Sequence, residues 1–302
     1  MRAGEGPRPA ALARIAREFP AIGVDAAAAG APRAAAEARI EALTWDAPWF
    51  DLAAFDAQVN ALAARGLFGL AVAADEPEPL ARASLEVLTR CQRHSPRRNA
   101  ASRGLGFDAI LARHRALHDL SRPLVRADHD HALDTWQWAL RLSPGAGLAV
   151  QVAALFHDVE RLVSEADARV EHLAPEYQAF KDAHAAAGAG LVGEALAGAL
   201  PPEELDRAAA LVARHERPSG DPDLGLLNDA DALSFFSLNS GGFMNYFGIE
   251  HTRAKIAYTL RRLGPAAQRR LSEIRHPDGV ATLLAEELAR LAAAAPASGG
   301  SP

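Results

Sequence analysis

The sequence predicts a mostly α-helical protein. Apolar residues recur at helical spacing through most of the chain, and breaks such as Ser143-Pro144-Gly145 and Pro201-Pro202 separate the segments. No useful stretch alternates with period two, and no internal repeat is visible.

In order, residues 1–35 are rich in Ala, Gly, Pro and Arg, with weak amphipathic order around Leu12–Phe19, and are expected to form a disordered arm. Residues 36–106 read as a small helical region and a linker. Helices are expected over Ala36–Leu43, Asp51–Ala64 and Pro79–Cys91, with a short strand within Gly66–Val72. The segment Arg93–Gly106 carries Arg93, Arg97, Arg98 and Arg103; it reads as a solvated linker, with a phosphate-binding patch as the competing reading.

Residues 107–295 form the main helical domain. Ala109–Leu120 and Asp130–Leu142 come first, and the second is stopped by Ser143-Pro144-Gly145. Leu148–Ser164 carries the apolar stripe Val152, Leu155, Phe156, Val159, Leu162 and Val163. Tyr177–Leu200 ends at Pro201. Pro202 then opens Glu203–Glu216, whose first turn holds the favourable acids Glu203 and Glu204. After the loop at Pro218–Pro222, Leu224–Leu238 is helical, Asn239–Gly242 breaks it, and Glu250–Leu263 and Val280–Ala294 follow. Residues 296–302 are expected to be a disordered tail.

Composition narrows the function. A net charge of −6 offers no general electrostatic reason to bind nucleic acid. The single cysteine, Cys91, excludes an internal disulfide, and no stretch reaches the roughly 18 uncharged apolar residues of a membrane span. Arginines interrupt the first residues, so no secretory signal is expected and the cytoplasm is the expected location. Lysine occurs only at Lys181 and Lys255.

Histidines concentrate between residues 129 and 215. Of three His-Asp pairs, only His157-Asp158 lies in a strongly apolar helix, where a carboxylate costs several kcal/mol (order of magnitude) unless paired or bound to metal. His131 precedes it on another helix. His184, His215 and Asp231 follow, and His215 shares an inward stripe with Leu205, Ala208 and Val212. Imidazoles and carboxylates on separate helices are how helical folds build metal sites, and mixed N/O donors suit Mn, Fe, Co, Ni or Zn.

In this order the residues resemble the HD superfamily of metal-dependent phosphohydrolases over roughly Phe107–Leu263. The stretch from His131 to Ala139 resembles the family's first histidine helix, and Ala154-Leu155-Phe156-His157-Asp158-Val159-Glu160-Arg161 its central element. Arg214–Gly220 resembles a later histidine motif, and Ala230-Asp231-Ala232-Leu233 the closing aspartate. The resemblance implies an HD-domain-like helical bundle with His131, His157, Asp158 and Asp231 as primary ligands. It adds His184 and His215 in members that hold two divalent ions, with Asp158 bridging. The implied activity is hydrolysis of a phosphate ester or nucleotide. The same ligand set serves HD-fold di-iron oxygenases, and a regulatory module with a structural or lost metal site is the third reading.

Three positions stay open. Arg161 stands where many members have lysine, which keeps a positive charge but not a proton donor. His129 lies two residues before His131 and cannot face the same way; Leu133 and Ala139 favour His131, with His129 expected to face solvent. Asp229 competes with Asp231, whose Ala-Asp-Ala-Leu context is preferred.

Around the site, Glu160, Arg161, Glu165, Arg169, Glu171 and His172 read as a solvated helix end and loop, with Arg161 the alternative contact to a substrate anion. Lys181, Arg253 and Lys255 are candidate substrate-binding cations for a small anionic molecule. Ser237–Gly248 mixes small polar residues with Phe243, Met244, Tyr246 and Phe247; it either caps the site or packs as a helix connection. Trp136 and Trp138 are expected in the core.

Overall fold

The computed structural model describes residues 97–294, apart from 172, 173 and 275, and the backbone of two three-residue segments. These segments, β1 (Leu43–Trp45) and β2 (Leu70–Val72), pair in parallel with Leu43 opposite Leu70. A strand is thus present at the end of Gly66–Val72, whereas Leu43, expected to close a helix, is extended. The other elements expected before residue 97, and the tail 296–302, lie outside the described residues.

Residues 97–294 are helical. Their elements are α1 (Leu105–Leu117), α2 (Pro123–Leu142), α3 (Leu148–Phe156), the single turn α4 (Arg161–Ser164), α5 (Tyr177–Leu196), α6 (Pro202–Val212) and α7 (Pro222–Ser234). A π-helical turn, Phe235–Asn239, joins α7 to α8 (Ser240–Arg262), followed by α9 (Pro265–Arg270), the 3-10 turn Leu271–Glu273 and α10 (Asp278–Ala294). None of the described helices is long and apolar enough to cross a membrane.

The helix starts follow local chemistry. Proline occupies the first turn of α2, α6 and α7, where its missing N–H leaves no bond unmade. Asp221 caps α7 by accepting from the amides of Asp223 and Leu224 at 3.1 and 3.5 Å. The centre of the bundle is α3, buried from Ala149 to Phe156 and packed by α2, α6 and α7. A helix apolar on every face belongs in a core. Its one polar member, Gln151, donates to Asn99 Oδ1 and the Ala146 carbonyl and accepts from Trp136 Nε1, so no polar atom is left bare. Trp136 and Trp138 are both fully buried, and Trp138 Nε1 donates to Ser237 Oγ at 3.1 Å.

Two boundaries differ from expectation and matter for the site. The helix expected over Leu148–Ser164 ends at Phe156, because the His157 ring takes the Ala154 carbonyl that the next helical amide would use. The chain tightens into three-residue turns, Val159 N–H to Phe156 and Arg161 N–H to Asp158, before α4 begins. The same device ends α6 early, where the His215 ring takes the Val212 carbonyl at 2.7 Å. Secondly, Asn239–Gly242 does not break the chain. Buried Phe235 and Phe236 keep this stretch on the core through the π-helical turn, and the break comes at Gly248, whose φ of +80° only glycine adopts readily.

The segment expected to be a free linker is docked in its described part. The Arg97 amide donates to Gln137 Oε1, and Asn99 Nδ2 donates to the carbonyls of Pro144 and Ala146.

Candidate metal centre

Six side chains from five elements converge beside α3. His131 comes from α2, His157 and Asp158 from the turns after α3, His184 from α5, His215 from the turn after α6 and Asp231 from α7. They form two triads, His131/His157/Asp231 and Asp158/His184/His215, each with its donor atoms within 4.8 Å of one another. In the first triad His131 Nε2 lies 3.3 Å from His157 Nε2 and 3.1 Å from Asp231 Oδ1, and His157 Nε2 lies 3.6 Å from the same oxygen. Asp158 faces both triads. Its Oδ2 is 3.9 and 3.8 Å from His131 and His157, while its Oδ1 is 3.0 and 3.9 Å from His184 and His215.

Gly188, one turn beyond His184, sets the spacing. A Cβ there would lie 3.4 Å from Val212 Cγ1 and 3.6 Å from the His157 carbonyl, so the glycine lets α5 approach α6 and the His157 turn closely.

The outer ring nitrogens fix the inner ones. His157 Nδ1 faces the Ala154 carbonyl, His215 Nδ1 the Val212 carbonyl, His184 Nδ1 the Glu160 carboxylate at 2.6 Å, and His131 Nδ1 Ser234 Oγ at 2.9 Å. A carbonyl or carboxylate only accepts, so Nδ1 of His157, His215 and His184 carries the proton. In the neutral ring Nε2 then holds the lone pair, the arrangement of a metal-ligating histidine. His215 Nε2 is buried and makes no well-formed hydrogen bond among the described residues, although Glu216 Oε1 lies 3.4 Å and Asp158 Oδ1 3.9 Å from it, and the His131 and His157 Nε2 atoms meet at 3.3 Å. Donors bound to one ion at 2.0–2.2 Å stand about 2.8–3.6 Å apart, and the first triad matches that spacing. The second triad offers the same donor types at a wider spacing, 3.0 and 3.9 Å from Asp158 Oδ1 to the two imidazoles, so both groups are of a kind that could hold a divalent cation.

Electrostatics agree. Burial opposes charge on Asp158, yet Arg161, His157 and His184 hold its carboxyl well below the usual range; His131 and His157 do the same for Asp231 against its own burial. Burial pulls the His157 imidazole down, but Asp158 and then Asp231 carry it up to about 9. His184, opposed by burial, is raised by Asp158 and Glu160. Without a cation these carboxylates draw protons onto the imidazoles instead.

A cavity of about 320 Å³ opens on His131, Asp158 and Asp231. Five basic side chains border it, Arg161, Arg169, Lys181, Lys255 and Arg262, with five acidic ones, Asp128, Asp158, Glu171, Glu216 and Asp231. Four of the cations are engaged by carboxylates. Arg161 donates to Asp158 Oδ2 at 2.9 Å, to Glu171 at 3.1 Å and to Glu165. Arg169 holds both oxygens of Asp128, and Lys181 lies 2.5 Å from Glu216 and 3.6 Å from Glu171. Arg262 bonds the His215 carbonyl and Glu216. Lys255 alone has no carboxylate within ion-pair distance among the described residues; its Nζ stands 5.8 Å from the Phe235 ring and 5.9 Å from Tyr258.

Several sequence expectations are corrected. Arg253, expected at the substrate, pairs with Glu286 and Glu287 on α10 and does not border the cavity. Lys181 borders it but is buried in an ion pair, and Arg161 spends its donors on three carboxylates, so both hold the site's acids in place. The stretch after the central motif is not a solvated end. Glu165 and Glu171 are buried, and only His172 lies outside the described residues. His129 does not face solvent; it packs 5.4 Å from His114 and 5.1 Å from His118, ring centre to ring centre. Asp229 turns away to accept from the Gly264 amide at 2.7 Å. Sequence reasoning missed Ser234, read Glu160 as part of a solvated helix end and gave Glu216 no role of its own. Glu160 follows Asp158 by two residues and Glu216 follows His215 directly, so proximity to the motifs was the available signal.

Comparison with known proteins yields one family. The model of a domain of unknown function, DUF4202, matches residues 108–284, well over half of the chain, and spans all six converging side chains. No curated protein and no solved structure matches.

Proposed function

The chain belongs to the DUF4202 family, and we propose that it is a metal-dependent phosphohydrolase that cleaves a small phosphate ester with two divalent ions. The observation that carries this reading is the pair of triads sharing Asp158 at the floor of a cavity. The resemblance of the same residues to the HD superfamily supports it. His131, His157 and Asp231 would hold one ion, His184 and His215 the other, and Asp158 would offer one oxygen to each. When bound, such ions supply Lewis acidity toward phosphoryl oxygens and lower the pKa of coordinated water toward about 7. Mn, Fe, Co, Ni and Zn all suit the mixed imidazole and carboxylate donors.

The chain's own residues do the rest. Without ions the cavity's basic and acidic side chains balance in number, so two divalent cations leave it net positive and attractive to an anion. Lys255 can turn to a phosphoryl oxygen, since no carboxylate lies within ion-pair distance of it among the described residues and its charge acts on Glu171 only from further off. Arg161 holds Asp158 in its shared orientation through the 2.9 Å bond to Oδ2. In the overall reaction a water oxygen bonds to phosphorus, the bond from phosphorus to the ester oxygen breaks, and a proton from that water ends on the alcohol product.

The test is phosphate release. Protein loaded with Mn or Co and offered a panel of nucleotides and phosphate monoesters should liberate phosphate, and Asp158→Ala should abolish it. If no ester turns over while iron-loaded protein consumes oxygen with a polyol or phosphonate, the oxygenase reading replaces this one.

A further inference from the structure

Part of the cavity lining is aromatic. Phe235, Phe243, Tyr246 and Phe247 form it, on the π-helical turn and the first part of α8. Their rings run in series, with centres 5.8 Å apart for Phe235 and Phe243, 4.4 Å for Phe243 and Phe247, and 4.6 Å for Phe247 and Tyr246. Phe243 and Phe247 are half-buried and Tyr246 is 57% exposed, and all three still border the cavity. A continuous aromatic surface beside a polar centre is costly to leave against water and is typical of a wall that receives a ligand's apolar body. Phe235, four residues and about one helical turn after Asp231, opens the π-helical turn beside that candidate ligand. Lys255, whose Nζ stands over the Phe235 ring, places a positive charge where the wall meets the floor.

We propose that the cavity selects phosphate monoesters whose alcohol part carries an aromatic ring, with the ring received by Phe235, Phe243 and Phe247 and the phosphoryl charge shared between the metal-binding floor and Lys255. The proposal deepens the phosphohydrolase reading and rests on it for turnover. A cavity of about 320 Å³, at the small end of ligand sites, suits a group the size of a small phosphate ester. Polyol and sugar phosphates present hydroxyls to the aromatic side and would leave them unpaired there.

Benzyl phosphate and glycerol 1-phosphate make a fair comparison. Both leave as alkoxides of similar basicity, so a difference reports on the cavity and not on the leaving group. With Mn-loaded full-length protein, kcat/KM should favour benzyl phosphate by about 10-fold to 100-fold, the range for burying one phenyl ring. Phe243→Ala should raise KM for benzyl phosphate about 10-fold with kcat little changed, and should not raise KM for glycerol 1-phosphate, so that the preference between the two esters collapses. Phe243→Leu, which keeps most of the volume, should lose less and guards against a folding defect. Lys255→Met should weaken both esters alike. Binding is read separately by calorimetry, where benzylphosphonate should bind at least 10-fold tighter than 2-hydroxyethylphosphonate and lose that margin in Phe243→Ala. Equal turnover of the two esters together with equal binding of the two phosphonates overturns this inference and leaves the hydrolase reading intact. Phe243-dependent binding of benzylphosphonate with no turnover of any ester overturns the hydrolase reading while the aromatic site stands.

Discussion

Replacing Glu160 by glutamine keeps the side chain's shape and removes one charge from behind His184. The His184 Nδ1 atom lies 2.6 Å from Glu160 Oε2, and Ser164 Oγ donates to the same oxygen at 2.8 Å, so the carboxylate is fixed against the ring. The other three histidines face neutral acceptors, the Ala154 and Val212 carbonyls and Ser234 Oγ. The triads are also unequal. Asp158 Oδ2 can join His131, His157 and Asp231 as a fourth donor, whereas His184 and His215 have Asp158 Oδ1 and, 3.4 Å from His215, a Glu216 oxygen already paired with Lys181. A second ion held there would therefore depend more on each donor's basicity, and of the four histidines only His184 has an anion behind its ring. Loss of such a partner costs about 10-fold to 100-fold in metal affinity, or about 1.4–2.7 kcal/mol. Titrating apo-protein with Co or Mn by calorimetry, with elemental analysis for stoichiometry, should show the second equivalent weakened by that factor and the first unchanged. Glu160→Asp should recover part of the loss. Equal weakening of both equivalents, or no change in either, refutes the assignment of Glu160 to the second site.

Three further outcomes follow from the packing. Lys181→Met leaves Glu216 and Glu171 buried beside an apolar chain, and should cost about 3–5 kcal/mol in urea unfolding; a loss below about 1 kcal/mol would mean that water reaches the pair. His118 is pulled down to about 4, chiefly by burial and against its bond to the His114 carbonyl. Above its unfolded value near 6.5 both states are neutral and its contribution is complete; as pH falls toward 4 only the unfolded chain takes the proton, and about 3 kcal/mol is lost. Urea midpoints at pH 7.0 and 4.5 should therefore converge more in His118→Gln than in the native chain, and parallel changes would rule this out. Gly188→Val would drive methyl groups into Val212 and the His157 turn, destabilising by about 1–3 kcal/mol and lowering occupancy at His184 and His215; full occupancy of both ions would show that α5 can shift freely.

Most helices were legible because their signals are local. Proline in a first turn, acids after Pro202 and the stop at Ser143-Pro144-Gly145 act within a few residues, and α2, α5, α6 and α7 lie where those signals put them to within a turn or two. The failures share a cause. At His157 and His215 a side chain competes for a backbone carbonyl, and apolar periodicity carries no trace of that competition. At Ser237–Gly248 the small residues suggested a break, but burial of Phe235 and Phe236 overrode their weak helix propensity and moved the break to Gly248.

The site divides the same way. The ordered histidines and aspartates could be gathered from sequence because each lies on a helix or at a helix end whose inward face is readable, and the structure places all six together. What surrounds them could not. Arg161 and Glu165, four residues apart, are a local pair, but Glu171 and Glu216 look like surface acids in a helical sequence, and nothing local shows that Arg161, Lys181 and Arg262 meet them. A charge run reads as solvated when its partners are distant in sequence, and this network closes over separations such as those of Arg262 with Glu216 and Arg169 with Asp128. The consequence is chemical as well as structural. With Arg161 and Lys181 committed to the protein's own acids, the cavity's capacity for a foreign anion falls to Lys255 and to the cations the triads can hold. Anion binding should therefore depend on metal loading far more than the number of basic side chains suggests. Phosphate affinity measured with and without Mn tests this directly, with about a 10-fold or larger loss expected on chelation and undiminished binding to metal-free protein as the contrary result.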